Sequence, residues 1–188
     1  MRGMKIQNYN ELATTELRKA ALSIVEAGLE AIDTKKVIRD TVSVVNGTLV
    51  IQGKSYAMPP DGRVIVAGVG KCALEAAEAL EEILGDSLYG GIVLHITGEP
   101  KLKKIATIQG THPLPSDQNV HGASLFVDIL KNRNENDLII FVVSGGGSTL
   151  LCLPEDKVCV EEISITQALI RAGATIQEVN TIRPCLLP

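Results

Sequence analysis

Two unbroken apolar runs, Val64–Ala67 and Leu138–Val143, run into glycine, the first at once at Gly68 and the second after Ser144. That repeated join constrains the fold more than any other feature of the chain. A strand with one wet face alternates apolar and polar residues, whereas a continuous run suits a strand covered by helices on both sides. Ile92-Val-Leu-His-Ile96 reads as a further strand and Ile105–Gln109 as another. Between them lie helical stretches: Cys72 to Leu84, closed by Gly85, and one opened by Ser116 or Asp117 that reaches about Leu130. Strands alternating with helices imply right-handed crossovers. The expected class is α/β, a Rossmann-like doubly wound fold with a mainly parallel sheet and helices on both faces. In such folds ligands bind outside the carboxyl ends of the strands.

Ahead of this core, Leu12, Leu17, Leu22, Val25, Leu29 and Ile32 recur at helical spacing and predict one amphipathic helix. Thr41-Val-Ser-Val-Val45 and Thr48-Leu-Val-Ile51 flank Asn46-Gly47, a strong β-hairpin signal. A third extended piece follows Gly53, and Pro59-Pro60-Asp61-Gly62 then breaks the pattern. With 188 residues, 45% hydrophobic and 21% charged, the chain can bury a sizeable core, which excludes disorder. Eighteen Lys and Arg against 22 Asp and Glu give a net charge of −4, which argues against a nucleic-acid partner. No apolar run is long enough to span a bilayer, and Met1–Tyr9 lacks the apolar segment of a signal peptide, so no membrane partner is expected. Cys72, Cys152, Cys159 and Cys185 show no paired spacing and read as reduced thiols of a cytoplasmic protein. The cysteines and histidines are scattered, so no metal site is expected.

Chemistry is expected in the loops. Gly68-Val69-Gly70-Lys71 follows the first apolar strand. Glycines there allow a tight turn, the following helix start offers unpaired amides to an anion, and Lys71 adds a point charge. The segment fits G-x-G-x-x-A, yet a dinucleotide site also wants an acid at the end of the next strand, and Thr97-Gly98 stands there with Glu99 only nearby. Nor is it a nucleotide P-loop, since Ile65 and Cys72 occupy two of its defining positions. The bland alternative is that Gly68 and Gly70 serve packing and Lys71 is solvated. Ser144-Gly145-Gly146-Gly147-Ser148-Thr149 follows the second run; successive unobstructed amides and three hydroxyls suit phosphate or carboxylate. The bland alternative here is a flexible turn. Leu150 replaces the final glycine of G-x-S-x-G, which disfavours a serine hydrolase. In Gly110–Asp117, Pro113 and Pro115 stiffen a loop carrying His112 and Asp117. Asp117 reads as a helix cap, His112 as a structural hydrogen bonder or a ligand contact, and His95 and His121 as structural. Glu155-Asp156 reads as a solvated acidic turn.

Taken in order, Gly68-Val-Gly-Lys71, Gly110-Thr-His-Pro-Leu-Pro-Ser-Asp117, Ser144-Gly-Gly-Gly-Ser148 and Gly173-Ala-Thr-Ile-Gln-Glu-Val-Asn180-Thr-Ile-Arg183 resemble the glycerate 2-kinase family. Its members have two domains, the second termed MOFRL, and have also been named hydroxypyruvate reductases. The resemblance implies phosphorylation of D-glycerate to 2-phosphoglycerate with ATP and Mg2+. It assigns Lys71 to the active-site lysine and the Ser144–Ser148 segment to the glycine-rich cleft loop, with Gly68, Gly70, Ser144, Gly145, Gly146, Gly147 and Ser148 as substrate or phosphate contacts. Where the family continues with Lys-His-Leu-Ser, this chain has Pro184-Cys-Leu-Leu-Pro188. The expectation is an N-terminal Rossmann-like domain: lead-in 1–62, core 63–183, an atypical tail 184–188, and no C-terminal MOFRL domain. Such a chain is expected to show little activity alone, and to partner the missing domain or a second copy. The alternatives are an NAD(P)H-dependent hydroxypyruvate reductase and a non-catalytic anion-binding module.

Overall fold

A computed structural model describes residues 4–153 and 160–182. The chain opens with α1 (Tyr9–Leu12), α2 (Glu16–Ala31) and α3 (Thr34–Thr41). The single helix expected from Leu12 to Ile32 is therefore divided. The Thr15 side chain caps α2 by accepting from the Arg18 amide, and Asp33 caps α3 through the Lys36 amide. Thr41 closes α3 instead of starting a strand. An antiparallel meander follows: β1 (Val42–Val45), β2 (Thr48–Ile51) and β3 (Lys54–Ala57). Both of its turns have positive φ at each central residue, 49° and 72° at Asn46-Gly47, 49° and 77° at Gln52-Gly53. This twist matches that of paired strands.

The core runs β4 (Val64–Val69), α4 (Ala73–Leu84), β5 (Leu88–His95), β6 (Ile105–Gln109), α5 (Asp117–Lys131) and β7 (Leu138–Val143), then α6 (Gly147–Leu150), α7 (Val160–Arg171) and α8 (Ile176–Ile182). Its four strands are all parallel, in the order β6-β5-β4-β7. The chain builds outward from β4 through β5 to β6, then returns across the sheet to place β7 on the other side of β4. Strand order thus reverses between β4 and β7, the position where open α/β sheets form their ligand crevice.

Strand β4 is buried throughout. On one face Val64, Val66 and Val93 pack against α4 and, beyond it, Val42 and Leu49 of the meander, so the lead-in shares the main core. On the other, Ala67, Val69, Ile92 and Leu94 pack with Phe126 and Leu150. The amino ends of β4 and β7 are clamped by Asp137. Its fully buried carboxylate accepts from the Arg63 amide (2.9 Å), Arg63 Nη2 (2.6 Å) and the Asn134 amide (2.8 Å). This guanidinium holds the Asp137 carboxyl well below the usual carboxylate range.

Strand β7 departs from the expectation of cover on both faces. Leu138, Ile140 and Val142 meet the core, but Phe141 is 55% and Val143 73% exposed. No strand pairs with its outer edge among the described residues. No helix among the described residues is long and apolar enough to cross a membrane.

Candidate anion-binding rim

Parallel pairing sets Val69 opposite Val143, so the glycine segments after β4 and β7 leave the sheet side by side. Backbone hydrogen bonds then fasten them: the Ser144 amide donates to the Val69 carbonyl (2.9 Å) and the Lys71 amide to the Gly145 carbonyl (2.9 Å). The Ser144 hydroxyl accepts from the Cys72 amide (3.1 Å), spending on the clasp a group that the sequence offered as a ligand donor. Gly70 makes this approach possible. Its φ is +122°, and a Cβ there would lie 2.3 Å from Ser144 Oγ and 2.6 Å from the Ser144 carbonyl oxygen. Gly68 sits inside β4, where a Cβ would stand 3.0 Å from a Val93 methyl and 3.5 Å from Ala73 Cβ; its absence seats α4 on the strand.

The triple glycine is less uniform than its sequence suggests. Gly146 has φ +90° and precedes α6, and a Cβ on it would come within 3.2 Å of both His112 Cδ2 and Ile96 Cδ1. The His112 ring therefore lies against this loop, bringing the third motif to the same rim. Gly145 faces open space, and a Cβ on Gly147 would meet only ordinary contacts at 3.5 Å and beyond. The Gly147 amide donates to the Ser144 carbonyl (3.2 Å), while the Gly145 and Gly146 amides bond to no other described residue. Ser148 and Lys71 are exposed, and the Lys71 ammonium forms no ion pair among the described residues. Asp117 is exposed in the first turn of α5, one residue after the helix-capping position taken by Ser116.

The geometry also shows a residue that the sequence reading passed over. Asn119, fully buried in the first turn of α5, bonds to both the His112 loop and the segment after the triple glycine. Its signal was present: Ser116-Asp-Gln-Asn119 has the spacing of a capping box with a carboxamide in the acid's place. His95 is buried at the end of β5, its Nδ1 3.2 Å from the Thr97 carbonyl oxygen, and His121 is exposed on α5. Because His95 and Ile96 stand where a dinucleotide fold places its ribose-binding acid, the reductase alternative is not favoured. No group of three His, Cys, Asp or Glu that would hold a metal occurs among the described residues. Cys72 and Cys152 form no disulfide among the described residues. Cys159, Cys185, Glu155, Asp156 and the 184–188 tail lie outside the described residues.

Residues 20–187 match the family described as Domain of unknown function (DUF4147). A glycerate 2-kinase of Pyrococcus horikoshii is 34% identical over 170 residues, covering 89% of this chain and 38% of the relative. The crystal structure of a P. horikoshii protein superposes with a TM-score of 0.75 at 33% identity, over 90% of this chain and 38% of that one. The crystal structure of glycerate kinase from Thermotoga maritima gives 0.70 at 31% identity, over 89% and 38%. The chain therefore spans less than two fifths of the length of these relatives.

Proposed function

We propose, for a chain that belongs to the DUF4147 family, that it is the N-terminal anion-binding part of a glycerate 2-kinase, which converts D-glycerate and ATP to 2-phosphoglycerate and ADP. The observation that carries this reading is the rim itself. The Lys71 backbone is fastened beside the Gly145 and Gly146 amides, which bond to no other described residue, and no neighbour within 4 Å demands glycine at Gly145. A glycine that the backbone does not require is explained by a ligand that approaches it closely.

Phosphoryl transfer depends on positioning and on offsetting charge as the phosphoryl group moves. In that reaction the glycerate hydroxyl attacks the γ-phosphoryl group of ATP, and no covalent intermediate forms on the protein. Lys71 offsets negative charge on the glycerate carboxylate or on the migrating group, and the Gly145 and Gly146 amides hold an anionic oxygen. Gly68 and Gly70 set the path of the Lys71 turn, Ser148 offers a hydroxyl, and His112 supplies a ring nitrogen beside the loop. Asp117 stands at the outer side of the same motif. The described residues do not build a site for Mg2+, so the ion belongs to the phosphates of the nucleotide that carries it. An exposed Cys72 outside any disulfide among the described residues fits a cytoplasmic setting.

Isothermal titration with D-glycerate and with Mg·ATP tests the reading. Lys71→Ala should weaken binding of at least one of them about tenfold or more, or roughly 1.4 kcal/mol. Because the side chain is exposed, the melting temperature should not change. Unchanged affinity for both ligands would remove Lys71 from the site. NADH fluorescence should be unaffected by the chain.

A further inference from the structure

We infer that Asn119 is the positioning residue that locks the His112 loop to the triple-glycine loop, so that the two present a single rim; for its consequence on binding this rests on the reading above. The inference follows from how completely one buried carboxamide is used. Asn119 Oδ1 accepts from the Thr111 amide (2.8 Å) and the Ser116 hydroxyl (2.9 Å). Its Nδ2 donates to the Thr111 carbonyl (3.0 Å) and, thirty residues along the chain, to the Thr149 carbonyl (2.9 Å). Both donors and both acceptor positions are filled, and the side chain is fully buried.

Two of these bonds go to the amide and carbonyl of the same residue, Thr111, so Asn119 grips the backbone immediately before His112 as a neighbouring strand would. The fourth bond reaches Thr149 in α6, two residues after Gly147. Gly110 lets the carboxamide come this close: a Cβ there would lie 2.9 Å from Asn119 Oδ1 and 2.6 Å from a Leu150 methyl. Through these links the placement of the His112 ring against Gly146 depends on a residue that faces no solvent. Aspartate at this position keeps the size and the acceptors but turns an oxygen toward the Thr111 and Thr149 carbonyls, which repels where the amide attracted. The exposed neighbour Gln118 has no comparable bond and serves as the control.

The test uses the whole chain and two readouts. In the wild type, nuclear Overhauser contacts between the His112 ring and the Gly146 α-protons are required; their absence would overturn the inference without any mutation. In Asn119→Asp that retains its circular dichroism, these contacts should vanish and affinity for D-glycerate or Mg·ATP should fall about tenfold or more. Gln118→Ala should change neither. A folded Asn119→Asp variant that keeps both the ring contacts and the affinity refutes the positioning role. If aspartate prevents folding, Asn119→Ser, which removes the donors without adding charge, takes its place with the same criteria. Should the wild type bind neither probe, the proposed function fails, while the ring contacts in wild type and variant still decide the role of Asn119.

Discussion

Gly70 and Gly145 look alike in sequence, each a glycine just past an apolar strand, but the fold treats them in opposite ways. Gly70 holds a φ of +122° with Ser144 pressed against the place a Cβ would occupy, whereas Gly145 has nothing within 4 Å. Gly70→Ala therefore combines backbone strain with a collision against backbone atoms and should cost about 3 kcal/mol. For a chain of this size that is a fall of roughly 6–12 °C in melting temperature. Gly145→Ala should leave the melting temperature within a degree or two of wild type yet weaken anion binding by titration. A stable Gly70→Ala, or a Gly145→Ala that binds as well as wild type, would contradict the separate roles. At this scale the sequence showed where the glycines fall relative to the strands, because chain order alone carries that. Which glycine answers to backbone and which to ligand depends on a neighbour 74 positions away, Ser144 opposite Gly70, and no local pattern holds that information.

Most elements were legible because their signals are local: apolar runs for strands, Gly85 after α4, Asn46-Gly47 for the hairpin. What escaped was the connection between β5 and β6. Parallel neighbours usually need a helical crossover, yet residues 96–104 make the passage without one. Helical hydrogen bonds being absent, α4 satisfies the passing backbone with carboxylates one turn apart. Glu78 accepts from the Lys101 amide (3.0 Å), and Glu81 from the Lys103 (2.8 Å) and Lys104 (3.0 Å) amides. Glu78 is also paired with Lys35 of α3, which ties the lead-in to the same helix. Burial pushes the Glu78 carboxyl up, but the Lys35 pair and the Lys101 amide outweigh it and hold it below its ordinary value of 4.5. A carboxyl depressed in the folded state stabilises fully above its unfolded value and loses that contribution as pH falls through the folded one. Glu78→Gln should accordingly cost roughly 2 kcal/mol at neutral pH. Melting curves of wild type and variant should converge as pH falls below 4.5 and through the depressed folded value. A gap that persists undiminished in acid would mean that Glu78 acts by packing and not by charge.

Over the whole molecule, the parallel doubly wound class follows from strand and helix alternation, but the sequence reading placed Leu138–Val143, the most apolar segment, as a strand covered on both faces. Coverage depends on what lies beyond a strand, and among the described residues nothing pairs with the outer edge of β7. Edge strands are usually blunted by charge, proline or a bulge. This one has none: six apolar residues in register with β4 leave Phe141 and Val143 on the open side. The face of α2 adds a second apolar surface, with Leu17 82% and Ile24 74% exposed. Pairing of one β7 edge with another copy satisfies the orphaned amides and carbonyls of both and covers Phe141, a gain that dispersed surface leucines do not offer. The chain alone should therefore associate with rising concentration, seen as a growing weight-average mass in multi-angle light scattering. Phe141→Lys and Val143→Lys, placing charge on the open face without touching the core side of the strand, should each reduce that growth, and together should reduce it most. Leu17→Lys on α2 separates the two surfaces. If it alone abolishes association while the β7 variants behave as wild type, helix pairing and not sheet extension joins the copies. A wild-type chain that stays monomeric at every concentration would show that this edge is closed in solution.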